Sequence, residues 1–257
     1  MMTLRLRQIA LVARKLRPLE MALTEIFGIQ PCFRDPAVAE FGLINILLPI
    51  GNQFLEIVSP VADNTAAERY LERRDGDGGY MVITQCNDHD AYRRRVAELG
   101  VRIAHEFKAD GFLNMQLHPR DTGGSFFEID QQTGGGSRGD DDPWVPAGPD
   151  WRRWRDTRRV TGIAGVEIQA ADPEATAARW AAIAGLPIEQ DTQSSRHLTL
   201  VDGRIDFVPC QDGRPEGLAG ITLTCADRGS VERWASKRGI SVQNDTLALG
   251  GMRWRLA

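Results

Sequence analysis

The chain has 257 residues, 42% of them hydrophobic and 26% charged, with a formal net charge of -4. That balance is typical of a soluble globular protein of one large or two small domains, and it gives no electrostatic pull toward nucleic acid or an anionic membrane. No apolar run is long enough to span a bilayer, and the opening Met-Met-Thr-Leu-Arg-Leu-Arg lacks the apolar core of a secretory signal.

In chain order, residues 8–13 read as a strand and 18–27 as a helix, with Leu19, Ala22, Leu23 and Ile26 on one stripe and Gly28 as its C-cap. Strands are predicted at 30–33, 41–48 and 53–58, the last two joined by the turn 49–52. The order then repeats: a strand at 80–85, a helix at 88–99, and strands at 101–107, 114–118 and 125–130, with a turn at 121–124. Residues 131–160 change character, from a Gly- and Asp-rich stretch to Trp144, Trp151 and Trp154 among several arginines. This reads as a linker docking between domains rather than a base-stacking surface, because the whole chain is acidic. Beyond it come a strand at 165–170, a helix at 173–184 with Asp172 as N-cap, strands at 197–201, 204–209 and 220–225, a helix at 230–238, and strands at 240–242 and 252–256.

A fourfold echo runs through these elements. Helix-like stretches end in Gly28, Gly100, Gly185 and Gly239, each followed by a branched apolar residue, and twenty residues before each glycine lie Gln8, Tyr80, Gly165 and Ala219 in strand-like runs. The predicted class is α+β, with four βαβββ modules. The expected domains are 1–132, a linker at 133–159, and a degenerate second half at 160–257.

A βαβββ unit used in pairs resembles the vicinal oxygen chelate superfamily, which includes glyoxalase I, methylmalonyl-CoA epimerase, extradiol dioxygenases and bleomycin-resistance proteins. The resemblance implies two tandem glyoxalase-like domains with curved mixed sheets, and a metal held by the first and fourth strands of each unit. In the first half these positions carry Gln8, Glu56, Tyr80 and Glu128. One glyoxalase I subtype offers Gln, Glu, His and Glu in that order, so Gln8, Glu56 and Glu128 become the expected metal ligands, with Tyr80 replacing a histidine. The segment from His118 to Glu128 is similar to the final hairpin of methylmalonyl-CoA epimerase. In the second half the corresponding positions are Gly165, Ala219, Arg255 and either Asp206 or Phe207, which retain no metal set.

The residues also carry a reading of their own. Strand side chains alternate faces, so Asn114, Gln116 and His118 share one face with Phe126, Glu128 and Asp130 opposite. Alignment through Pro49 and Pro119 adds Ile44, Ile46 and Leu48 as an apolar wall. Two carboxylates and an amide oxygen suit a divalent cation, with Mg²⁺, Mn²⁺, Zn²⁺, Ni²⁺ and iron all open. Glu56, Glu128 and His118 are the expected acid/base groups, and Tyr80, Gln116, Asn114, Ile46 and Leu48 the expected substrate contacts. His89, His105 and His197 read as structural. The expected activity is glyoxalase-like lyase, isomerase or epimerase chemistry beside a carbonyl. The alternatives are a metal-free binding or drug-sequestering protein of the bleomycin-resistance type, and a metal-independent catalyst using His118 and Glu128. The expected partner is a small-molecule substrate or ligand, with a homodimer open. Four scattered cysteines without a CxxC pair read as free thiols of a cytoplasmic protein.

Overall fold

The structure is a computed structural model that describes residues 2–109, 111–123, 125–133, 142–191 and 195–257. The predicted Gly/Asp-rich linker falls largely on 134–141, outside the described residues, as does Gly124 of the predicted turn.

Each half of the chain forms one curled seven-stranded sheet. The first unit contains β1 (Leu4–Val12), α1 (Leu16–Phe27), β2 (Leu43–Ile50), β3 (Gln53–Pro60), α2 (Ala66–Arg73), β4 (Gly78–Cys86), α3 (His89–Glu98), β5 (Ile103–Ala109), β6 (Phe112–Leu117), α4 (Pro119–Thr122) and β7 (Phe126–Gln132). Its strand order is β2-β3-β1-β4-β7-β6-β5, so two modules join edge to edge through the antiparallel β1–β4 pair. The second unit repeats the plan with β8 (Val160–Ala170), α5 (Pro173–Ala184), β9 (Glu189–Gln190), β10 (Arg196–Thr199), β11 (Arg204–Pro209), β12 (Gly217–Cys225), α6 (Arg228–Lys237), β13 (Thr246–Leu249) and β14 (Met252–Leu256). Its order is β13-β14-β12-β8-β11-β10-β9, again joined at the first strands of its modules.

The echo glycines have a common backbone cause. Gly28, Gly100, Gly185 and Gly239 all lie at φ between 62° and 76°, the left-handed region that glycine enters at low cost and that ends a helix. At the other ends, Asp88, Asp172 and Asp227 accept from the backbone N–H three residues on, capping α3, α5 and α6. The predicted strand at 30–33 reduces to a single bridge, Phe33 to Leu47. Helix α2 lies in a stretch with no predicted element; its Ala67, Tyr70 and Leu71 are buried.

The apolar stripes of α1, α3, α5 and α6 merge into one core that crosses both units. Phe127 of the first unit stacks on Trp180 of the second at 4.3 Å and 7°, and Phe27 meets Trp254 at 5.0 Å. Gln53 adds polar stitching, donating to the carbonyls of Leu6 and Ile163 and accepting from Ile163 N–H. The Trp180 indole donates to the Thr122 carbonyl at 2.5 Å. Trp180→Ala removes this stack and hydrogen bond, and is expected to cost about 3–5 kcal/mol. Because the core is shared, chemical denaturation of the variant should give one transition at lower denaturant, and two separated transitions would contradict a shared core.

Candidate functional site

The concave face of the first sheet is built from alternate residues of β1, β3, β2, β4, β6 and β7. Residues Ala10, Val12, Leu43, Leu47, Phe54, Val58 and Tyr80 make its apolar part, and three buried carboxyls, Glu56, Glu128 and Asp130, lie among them. Among the described residues no lysine or arginine pairs with Glu56 or Glu128. Side-chain amides satisfy them instead. Asn45 Nδ2 donates to Glu56 Oε1 at 2.7 Å, and Gln8 Nε2 donates to Oε2 at 2.9 Å. Both amides are locked in this orientation by their other ends: Asp35 N–H donates to Asn45 Oδ1 at 2.8 Å, and the Trp144 indole donates to Gln8 Oε1 at 2.7 Å. Across the site Gln116 Nε2 donates to Glu128 Oε2 at 3.1 Å, and Asn114 Nδ2 to Asp130 Oδ1 at 3.0 Å.

Burial pushes the Glu56 carboxyl up to about 7; the hydrogen bonds from Asn45 and Gln8 oppose the rise and the charge of Glu128 adds to it. Glu128 is also raised by burial. Asp130 stands well above the carboxylate range, through burial and then the charge of Glu128 beside it, so Asp130 is the protonated member of that pair.

Several expected site residues sit elsewhere. Ile46 and Leu48 pair with Ile57 and Leu55 on the helix-facing side of the sheet, in the shared core, and Ile44 is 45% exposed. The turn between β2 and β3 holds only Gly51 and Asn52, so Leu47, not Ile46, stands opposite Glu56 and the alternation inverts. His118 does not join the carboxyls. Its Nδ1 accepts from Arg120 N–H as the cap of α4, and the charges acting on it are those of Arg102, Asp121 and Arg120. Tyr80 stays on the concave face, but a bulge takes it out of the register position. Ala10 pairs with Met81 and Leu11 with Gly79, which leaves Tyr80 without an opposite residue. Its ring packs between Tyr70 and Phe126 at 5.0 and 5.1 Å, and burial holds its hydroxyl protonated, far above neutral pH. The register equivalent of Gln8 is Met81: Ala10 pairs with Glu56 and Ile83 with Glu128, and Gln8 and Met81 each lie two residues earlier on the first strand. Gln116 Nε2 lies 3.3 Å from the Met81 sulfur.

Trp144 and Trp151 of the Trp/Arg segment dock on this concave face, while Arg159 at its end sits between the units, donating to the Glu25 and Ile26 carbonyls and lying 5.1 Å from the Trp234 ring centre. Trp144 and Trp151 are buried against Leu47, Phe54 and Phe112, and Arg7 lies 5.3 Å from the Phe54 and Trp144 ring centres. Helix α2 covers the other end through Tyr70 and Leu71. Between these covers, Met81, Gln116 and Phe126 are half-buried, and sequence reasoning missed what stands beside them. His105 pairs with Gln116 in the β5–β6 register and its charge acts on Glu128. Its ring lies 5.1 Å from Phe41, edge-on, and 5.7 Å from Phe107, and Phe41 and Phe107 are 47% and 43% exposed. The HxF pattern at 105–107 was the available signal.

This donor set does not fit a divalent cation. The Gln8 amide oxygen is committed to Trp144, both Glu56 oxygens hold amide hydrogens, and the fourth-ligand position is a thioether in place of a hard oxygen or imidazole. Among the described residues no three His, Cys, Asp or Glu side chains converge in a metal-binding group.

The raised carboxyls have a measurable consequence for stability. A folded-state value above the unfolded one means the folded chain holds a proton that the unfolded chain releases, so this contribution is complete below pH 4.5 and is lost as pH rises toward 7. For Glu56 alone the loss is about 3 kcal/mol, from about 1.4 kcal/mol per pH unit. The thermal midpoint of the wild type is expected to fall more steeply between pH 5 and 8 than that of Glu56→Gln, and equal slopes would contradict the raised value.

Comparison with known proteins agrees with this architecture. A model of the glyoxalase-like domain matches residues 13–184. A triple mutant of 4-hydroxymandelate synthase from Streptomyces coelicolor superposes with a TM-score of 0.67 at 14% identity, over 93% of this chain and 76% of that one. A hypothetical protein from Staphylococcus aureus gives 0.64 at 12% identity over 99% of both chains. A variant of methylmalonyl-CoA epimerase from Streptomyces coelicolor gives 0.46 at 19% identity, over 51% of this chain and 99% of that one. No curated protein sequence matches the chain. At such identities the structural likeness is one of fold, while the family match spans more than half the chain. The chain therefore belongs to the glyoxalase-like domain family and is built as two tandem units of the vicinal oxygen chelate fold.

Proposed function

We propose that the first unit is a metal-independent acid–base site that moves a proton next to a carbonyl of a small organic substrate. The observation that carries this reading is that the buried carboxyls Glu56 and Glu128 share one concave face without a cationic partner among the described residues, Glu56 being raised to about 7. A general base is most effective when it titrates near the working pH, and burial without a cation is the device that achieves it. In this reading Glu56 takes the proton from the carbon beside the carbonyl. The C–H electron pair becomes the enolate double bond, and the developing oxygen charge is met by the proton that Glu128 and Asp130 share. A neutral carboxylic acid in that place does the work a Lewis acid would do. Return of the proton to the same or the neighbouring carbon regenerates the site. Gln8 and Asn45 position Glu56, and Asp130 positions the shared proton. His105 stands where a substrate would enter.

The test is solvent deuterium exchange at the carbon beside the carbonyl, across hemithioacetals of 2-oxo aldehydes and acyl thioesters. Exchange is expected to persist in chelator, to rise with pH through about 7, and to fall by about 10²–10⁴ in Glu56→Gln. Exchange that requires added metal, or that is unchanged in Glu56→Gln, would overturn the reading.

The aromatic edge of Phe41, His105 and Phe107 favours a second reading, in which this edge of the first unit holds a planar aromatic ligand without turnover. Tight binding of such a ligand, weakened by Phe41→Ala and accompanied by no exchange in any substrate class, would decide for it.

A further inference from the structure

The second unit uses the same four register positions differently. In its sheet Glu167 pairs with Asp206 and Gly220, and Thr222 pairs with Gly165 and Arg255. Transferred by register, Gln8, Glu56, Met81 and Glu128 of the first unit become Gly165, Asp206, Gly220 and Arg255. The β12 position is Gly220 rather than the expected Ala219, because the strand slips between Leu218 and Gly220, as β4 does at Tyr80. Neither glycine has room for a side chain. A Cβ at Gly165 would lie 2.9 Å from the Arg204 carbonyl oxygen, and one at Gly220 would lie 3.0 Å from Glu167 Cβ. At these two positions the floor of the concave face has no side chain of its own, with Arg204 and Glu167 packed beside it, and a groove of about 630 Å³ opens on this face. That size takes a small organic molecule.

Two of the three arginines in the groove are held by carboxylates. Arg253 is held by Glu167 at 2.9 Å and by Gln169 and Asp212 at 3.2 and 3.3 Å. Arg204 is held by Asp206 at 2.9 Å and lies 3.8 Å from Asp191. Arg255 lines the same groove, is exposed, and among the described residues has no acidic partner within 4.0 Å. Its register neighbours on the flanking strands are Thr222 and Thr246, whose side chains therefore share its face.

We propose that this groove is a second ligand site, separate from the carboxyl site, and that it binds an organic monocarboxylate through Arg255. A guanidinium presents two parallel N–H groups that match a carboxylate, and the hydroxyl of Thr222 stands where it adds to that anchor, while the Thr246 hydroxyl donates to the Asn244 carbonyl at 3.3 Å. The four carboxylates Glu167, Asp191, Asp206 and Asp212 outnumber the three arginines, so a monoanion suits the groove better than a phosphate dianion. The backbone floor at Gly165 and Gly220 takes the flat body of the molecule, as an aryl acid provides.

The experiment is a titration of the full chain with phenylacetate, phenylacetamide and phenyl phosphate, read by isotope-edited NMR shifts and calorimetry. Phenylacetate is expected to shift resonances of β12 and β14. Its affinity should fall at least tenfold in Arg255→Gln and less in Arg255→Lys, with the fold of both variants verified by their spectra. Solvent exchange at the first unit should be unchanged in Arg255→Gln, which separates failure of this site from failure of the acid–base reading. Equal affinity for the uncharged amide, tighter binding of the phosphate, shifts confined to the first unit, or an unaltered affinity in Arg255→Gln would each overturn the proposal.

Discussion

The constraint on which the first unit depends is the burial of Glu56 without a counter-cation. An isolated carboxylate is costly in an apolar interior, and two outcomes are open to it: pairing, or retention of its proton. Here the chain takes an intermediate course. Two amides offer hydrogens to Glu56, and each is prevented from turning round because its oxygen is already occupied, one by a backbone N–H and the other by the Trp144 indole. The amides support the ionised form and the surroundings support the neutral one, and the balance falls near neutral pH. Trp144 therefore does more than cover the sheet: it fixes the direction of a donor that sets the proton affinity of the site.

Duplication gives the second unit the same frame with other contents. In the first unit the four equivalent positions carry long side chains, tied to one another or to neighbouring amides and covered by the segment around Trp144 and Trp151. In the second, two of those positions are glycine, one is an ion-paired aspartate and one is an arginine that has no acidic partner among the described residues. The first sheet is covered except where Met81, Gln116 and Phe126 are half-buried, while the second carries the open groove. The apolar stripes of α1, α3, α5 and α6 make, with strand residues of both sheets, the core that both units share.

Much of this was legible in the sequence because it follows from periodicity. The four helix-ending glycines set the modules in register, and the matching endings around Glu56 and Glu128 located both carboxyls. Errors arose where a local irregularity breaks the alternation. The bulge at Tyr80 moved the equivalent position to Met81, and the two-residue turn at Gly51-Asn52 moved Ile46 and Leu48 to the other face. His118 was aimed away by the short helix it caps. The contacts of Trp144 with Gln8 and of His105 with Phe41 join segments far apart in the chain, and no spacing rule reaches them. Asn45, between Ile44 and Ile46, holds Glu56 directly, and its place on the concave face follows from the same inverted alternation.

The central claim is that Glu56 titrates in the neutral range inside the folded protein. It is tested most directly by carbon-detected NMR titration of the glutamate carboxyls, with the Glu56 resonance assigned by its loss in Glu56→Gln. The account predicts an apparent midpoint near 7, with a smaller inflection as the neighbouring Glu128 changes charge. A Glu56 carboxyl that titrates at the ordinary value of about 4.5 would contradict it.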